Sequence, residues 1–297
     1  MAPVDRRVLL GGLMAAALPG RGLAWLLIEP PDRGPLSATV VGSLLAQYKV
    51  PGASLAIVDT GELTATYCYG LAQVTKPVAA ATRFQAASIS KTINALAIVK
   101  LLALGRVGLD DPVNNHLISW KLPDNALTEK TVVTIRTLLS HTGGTTVPGF
   151  AGYLPDTPVP TLEQVLDGKS PANSDPVRMA WPRGQNFRYS GGGTTVLQQL
   201  VIDLSGEDYP AAVERLVLGP LGMNQSDYIQ QPGSSAREHL ALAHGPDGSP
   251  NLGGFRTHPE LAAAGLWTTP NDLVRAVLAI IHSRRGMPGA FLPQALA

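Results

Sequence analysis

Polar and apolar positions along the chain change period several times, and each change marks an element. Pro35 to Tyr48 places apolar residues at helical spacing and is closed by Pro51-Gly52, so a short amphipathic helix is expected there. Ala53-Ser54-Leu55-Ala56-Ile57-Val58-Asp59 reads as a buried strand, Thr60-Gly61-Glu62 as a turn, and Leu63 to Gly70 as a returning strand rich in β-formers. Together they predict an antiparallel hairpin. From Ser88 to Leu104 nearly every position is Ala, Ile, Leu or Val until Gly105 and Gly108 end the run. A helix apolar on all sides is a buried one, so Ser88 is expected to open a helix driven through the middle of the protein.

Further helices are expected over Val132 to Ser140, Leu162 to Leu166 and Thr194 to Ser205. A Pro/Gly-rich connection, Thr145 to Pro160, separates the first two of these. Gly253 to Trp267 reads as irregular or extended, and Asn271 to His282 as a last helix started by Thr269-Pro270-Asn271-Asp272. Strands come early and helices fill the middle. The sequence holds no internal repeat and no low-complexity tract.

The first 24 residues have a different character. Arg6-Arg7 precede an apolar run from Val8 to Leu18, and Gly22-Leu23-Ala24 offers a small-x-small cleavage site. The run is too short to span a bilayer. It reads as an export signal, the paired arginines leaning toward the twin-arginine route; an uncleaved apolar helix is the alternative. On this reading residues 25–297 form the mature domain, periplasmic or secreted, with no stable membrane span after cleavage.

Composition then removes several function classes. A net charge of +1 with 15% charged residues, and no basic run, argues against a nucleic-acid partner. The single cysteine, Cys68, excludes an internal disulfide and a thiolate metal site and reads as a small core residue. The six histidines show no ligand spacing, so neither metal nor other cofactor is expected.

The candidate chemistry lies in Ser88-Ile89-Ser90-Lys91. On a helix, Ser88 and Lys91 share one face, and a serine with an amine partner is the start of an acyl-transfer site. Such a pair also arises by chance, with Ser88 as a helix cap and Lys91 as a solvated first-turn residue. Its setting is more specific. Phe84-Gln85-Ala86-Ala87-Ser88-Ile89-Ser90-Lys91-Thr92 resembles the nucleophile segment of the serine β-lactamase-like superfamily, which includes class C β-lactamases, D-alanyl-D-alanine peptidases and related esterases. Thr134 to Gly144, Pro182 to Gly191 (carrying Tyr189), Leu218 to Met223 and Ala264 to Pro270 resemble further segments of that family, in the same order. The resemblance runs from about residue 35 to the end.

The resemblance implies an α+β fold: an antiparallel sheet flanked by helices, with a helical region inserted between early and late strands and the site in the groove between them. It implies that Ser88 attacks a carbonyl and forms an acyl-enzyme, with Lys91 and Tyr189 sharing the proton. Substrates would be small-molecule esters, β-lactams or peptidoglycan-like compounds. Lysine ordinarily holds its proton well above neutrality, so Lys91 as the base near pH 7 requires about 4–5 kcal/mol of destabilisation of its charged form, which burial can supply. Tyr189 is the alternative base if a cationic Lys91 lowers its proton affinity. Ser90 reads as structural. His141-Thr142-Gly143 mimics the family's Lys/His-x-Gly motif but lies before Tyr189, and it too reads as structural.

Two departures qualify the resemblance. The family's tyrosine motif ordinarily places Asn two residues after Tyr; here Gly191 stands there, followed by Gly192 and Gly193. Gly191 is expected to touch substrate without the amide-binding side chain, leaving a roomier, ester-cleaving site. The Lys/His-x-Gly strand is expected some tens of residues beyond Trp267, yet the chain stops at Ala297. C-terminal strands, that motif and one oxyanion donor are therefore expected to be missing, which would leave the hairpin edge unpaired. A non-catalytic remnant with a partial fold is the alternative function.

Overall fold

The computed structural model describes residues 31–184 and 186–297. The expected export signal, residues 1–24, lies outside the described residues.

Helix α1 (Ala38–Gln47) starts later than Pro35 because Ser37, in extended backbone, accepts the Val40 N–H and caps it. Strands β1 (Gly52–Asp59) and β2 (Glu62–Gln73) form the expected hairpin, with Ala53 opposite Tyr69 and Ser54 opposite Cys68, and β3 (Lys76–Pro77) adds a third antiparallel strand in the order β1-β2-β3. No residue of β1 is fully buried, contrary to the buried strand expected; β1 pairs with β2 alone among the described residues. Cys68 is likewise only half-buried, with its sulfur 3.8 Å from Ser54 Oγ.

Strand β4 (Phe84–Gln85) pairs with β5 (Trp267–Thr268), bringing the segment before Ser88 against the segment before the last helix. A single 3₁₀ turn, Ala87–Ile89, then leads into α2 (Ser90–Ala103). Ile93, Leu96, Ala97, Ile98 and Leu101 of α2 are buried, each large one worth about 1.5–3 kcal/mol by transfer from water. The helix is not buried all round: Thr92 and Leu104 are exposed and Lys91 half-exposed, so α2 lies along one wall of the core rather than through its centre.

Helix α3 is shorter than expected (Ile135–Leu139). Val133 and Thr134 are drawn into extended backbone, where Thr134 bridges Pro112 and caps α3 through a reciprocal exchange with Thr137. Helix α4 (Leu162–Asp167) forms as expected. Helix α5 (Gly191–Ser205) begins three residues earlier than expected, and its Val196, Leu197, Leu200 and Val201 face the core opposite α2. Helix α6 (Tyr209–Val213) runs through a π turn, Glu214–Leu218, into the single turn α7 (Gly219–Leu221); α8 (Ser234–Arg237) lies outside the core. Within the stretch expected to be irregular, α9 (Leu261–Ala264) forms one buried turn wedged between α2 and α5. Helix α10 (Pro270–Arg284), capped by Thr269, packs against the hairpin.

Candidate active site

Ser88 lies in the 3₁₀ turn at the N-terminal end of α2, on the surface. The residue before it, Ala87, has φ of 45°, a left-handed backbone that costs a residue with a Cβ on the order of 1 kcal/mol or more. The strain is held by the surroundings. Ser90, fully buried, donates to Ala87 O at 2.6 Å and accepts the Leu266 N–H at 3.0 Å, tying the turn to β5's approach. Ser90 thus has a structural role.

Lys91, one helical turn on, donates from Nζ to Ser88 Oγ at 3.1 Å and to Ala263 O at 2.8 Å. The second acceptor belongs to α9, which sequence periodicity missed because a one-turn helix carries no period. Two glutamines hold that turn. Gln198 of α5 donates to Pro259 O at 3.0 Å and accepts from Ala262 N at 2.9 Å; Gln230 donates to Gly265 O at 2.7 Å and accepts from His258 N at 2.8 Å.

Tyr189 precedes Ser190, the N-cap of α5, and its ring centroid lies 5.1 Å from Lys91 Nζ. Partial burial pushes the phenol's pKa up, but hydrogen bonding to Ser88 and Lys91 and the Lys91 charge outweigh it, so the net movement is downward from 10.0. Tyr189, 98 residues beyond Lys91 in sequence, is thus brought to the Ser88–Lys91 pair.

Gly191 is not the open contact expected. It is buried, its N–H is donated to Pro148 O at 3.2 Å, and Thr195 Oγ1 donates to its carbonyl at 3.0 Å. A Cβ at this position would lie 3.0 Å from Phe150 Cε2 and 3.3 Å from Pro148 O. The space an asparagine would need is thus occupied by the 145–150 segment. Gly192 and Gly193 would meet Thr146 O and Thr145 Oγ1 at 2.7 Å. The triple glycine therefore serves a close approach of two backbones, rather than a wider site.

His141, read from sequence as structural, sits beside Tyr189. Its ring centroid is 4.6 Å from the Tyr189 ring at 42°, and 5.7 Å from Phe187 at 85°. Nδ1 accepts the Ser190 N–H at 3.2 Å. Burial and the nearby Lys91 charge hold the imidazole below its ordinary 6.5. Phe187 and Trp181 are exposed at the same edge, with the Arg188 guanidinium 4.5 Å from the Trp181 ring. Among the described residues, no three His, Cys, Asp or Glu side chains are grouped to hold a metal ion, and no helix is long and apolar enough to cross a membrane.

With an antiparallel sheet, a helical body and a serine–lysine–tyrosine cluster where α2, α5 and α9 meet, the chain matches the Beta-lactamase family over residues 38–295 and belongs to it. It is similar to Protein flp of Staphylococcus aureus (strain MRSA252), at 28% identity over 241 residues, covering 78% of this chain and 44% of that protein. It is also similar to Esterase EstB of Burkholderia gladioli, at 28% identity over 293 residues, 87% of this chain and 71% of EstB. Among solved structures, EstCE1, a hydrolase with promiscuous acyltransferase activity, superposes with a TM-score of 0.68 at 22% identity over 87% of this chain and 74% of its own. The chain therefore spans less than half of Protein flp and somewhat under three quarters of EstB.

Proposed function

We propose that this chain carries the acyl-transfer centre of a serine hydrolase that favours esters over amides and β-lactams. The observation that carries the reading is the Lys91 Nζ contact to Ser88 Oγ at 3.1 Å, with the Tyr189 phenol held on the same pair. A cationic Lys91 can donate to Ser88 Oγ and Ala263 O at once, which leaves Tyr189 as the group to accept the proton. Tyr189, its proton loosened by that cation, takes the Ser88 hydroxyl proton as Oγ bonds to the substrate carbonyl carbon. Collapse of the tetrahedral species breaks the bond to the leaving alkoxide, which receives the proton from Tyr189. Water then releases the acyl group from Ser88 by the same steps. The N-terminal end of α2 favours negative charge developing beside Ser88.

Ester preference follows from Gly191, where Phe150 and Pro148 leave no room for an amide-binding side chain. The exposed rings of Trp181 and Phe187 at the edge of the site suit an apolar acyl or alcohol group. The paired Arg6-Arg7 and the apolar run after them support export, so the ester would be met in the periplasm or outside the cell.

A fluorophosphonate probe should add its mass to the wild-type chain and not to Ser88→Ala. Turnover of p-nitrophenyl butyrate should fall at least about a thousandfold in that variant, and nitrocefin should be cleaved far more slowly than the ester. Equal labelling of wild type and Ser88→Ala, or no labelling of either, overturns the reading; faster nitrocefin than ester cleavage overturns the preference.

A further inference from the structure

His141 is held in place at some expense. Its backbone adopts φ of 55°, a left-handed conformation uncommon for a residue with a side chain. That conformation follows α3 and turns both ends of the residue toward the segment that carries Tyr189. The His141 carbonyl accepts the Arg188 N–H at 2.8 Å, its Nδ1 accepts the Ser190 N–H at 3.2 Å, and its ring lies against both Phe187 and Tyr189. One residue therefore grips positions 187 to 190 by backbone, ring nitrogen and ring face. Ser190 in turn accepts from Gly193 N at 2.8 Å and caps α5, so the grip fixes Tyr189 just ahead of the helix.

We propose that His141 is a positioning residue for Tyr189, acting through the uncharged imidazole whose Nδ1 lone pair takes the Ser190 N–H and whose ring backs the phenol. The inference rests on the reading of Tyr189 as the proton acceptor. The Ser190 contact needs an unprotonated Nδ1, so the imidazole carries its hydrogen on Nε2. Protonation would put a donor opposite the Ser190 N–H and a second cation beside Lys91. The titratable groups facing the ring are Lys91 of α2 and Tyr189 itself; the Arg188 guanidinium is engaged on Trp181. Burial and the Lys91 charge both favour the neutral ring, so it holds its working form into mildly acidic solution.

His141→Gln and His141→Phe test this in the full chain. Glutamine can accept the Ser190 N–H without titrating; phenylalanine keeps the ring face and removes the acceptor. In wild type, kcat/KM for p-nitrophenyl butyrate should lose an extra increment as pH falls below 6.5, and that increment should be absent from His141→Gln. At pH 7.5 His141→Phe should lose about tenfold or more in kcat with KM within about twofold, and His141→Gln should recover part of the loss. The Ser190 amide resonance should shift with pH below 6.5 in wild type and stay fixed in His141→Gln, whatever the turnover. Unchanged kcat in His141→Phe, or a Ser190 amide insensitive to pH in wild type, overturns the proposal. Loss of ester turnover or probe labelling by Ser88→Ala reports on the acyl-transfer reading independently.

Discussion

Three side chains carry the proposed chemistry, and in that proposal their proton balance depends on Lys91. Its ammonium lies 5.1 Å from the Tyr189 ring, and its charge is among the causes that lower the phenol's pKa. Replacing it by a neutral isostere removes that attraction while burial of Tyr189 remains, so Lys91→Met should move Tyr189 ionisation upward. The check is ultraviolet difference titration at alkaline pH, with Tyr189→Phe subtracted to isolate one phenol among seven tyrosines. A second residue-scale prediction concerns Gly191. Gly191→Asn forces a Cβ to 3.0 Å from the Phe150 ring and should destabilise the fold by about 1–3 kcal/mol in denaturant melts. Phe150→Ala in the same chain should relieve part of this, giving a coupling of at least about 0.5 kcal/mol in a double-mutant cycle.

At the scale of elements, the site depends on where α2, α5 and α9 meet. Helix α5 approaches the 145–150 segment through bare backbone, and at Gly192 the neighbour is itself backbone: a Cβ there would stand 2.7 Å from the Thr146 carbonyl oxygen, which cannot rotate away. Gly192→Ala should therefore cost about 1–3 kcal/mol despite alanine's better helix propensity. Gly42 of α1 has open space around it, and Gly42→Ala should instead stabilise by about 0.4–1 kcal/mol. Opposite signs for the same substitution, read by thermal melting, separate packing from propensity. Helix α9 shows the limit of periodicity in another way. Its four residues say little alone, and it is helical because Gln198 and Gln230 satisfy the backbone at both ends.

Across the whole molecule, a buried polar contact joins the hairpin to α10. Thr66 Oγ1 of β2 donates to Asn271 Oδ1 of α10 at 2.8 Å, both residues buried. Arg83, just before β4, forms an ion pair with Asp227, and Tyr69 Oη donates to Leu36 O at 2.7 Å. Removing one partner of the buried pair leaves the other unsatisfied, so Asn271→Ala should cost about 1–3 kcal/mol, a few degrees of Tm per kcal/mol at this chain length. Fluorophosphonate labelling of Ser88 should proceed at the wild-type rate, because the buried partner of Asn271 is Thr66 and not Ser88, Lys91 or Tyr189.

The amino-acid pattern alone determined the local matters: the β1–β2 hairpin, from an apolar run and a run of β-formers on either side of Thr60-Gly61-Glu62; the apolar helix after Ser88; and the Ser88–Lys91 pairing, a consequence of three-residue spacing. Ordered motifs added Tyr189 to that pair. Only the tertiary structure decided what surrounds the three side chains. The Ala263 carbonyl that receives Lys91, the Phe150 ring that fills the space beside Gly191, and the His141 ring behind Tyr189 come from segments 41 to 172 residues from their partners. No period or propensity encodes such contacts. They follow from close packing of whole elements, which selects neighbours by shape and by which buried hydrogen-bonding groups still need a partner.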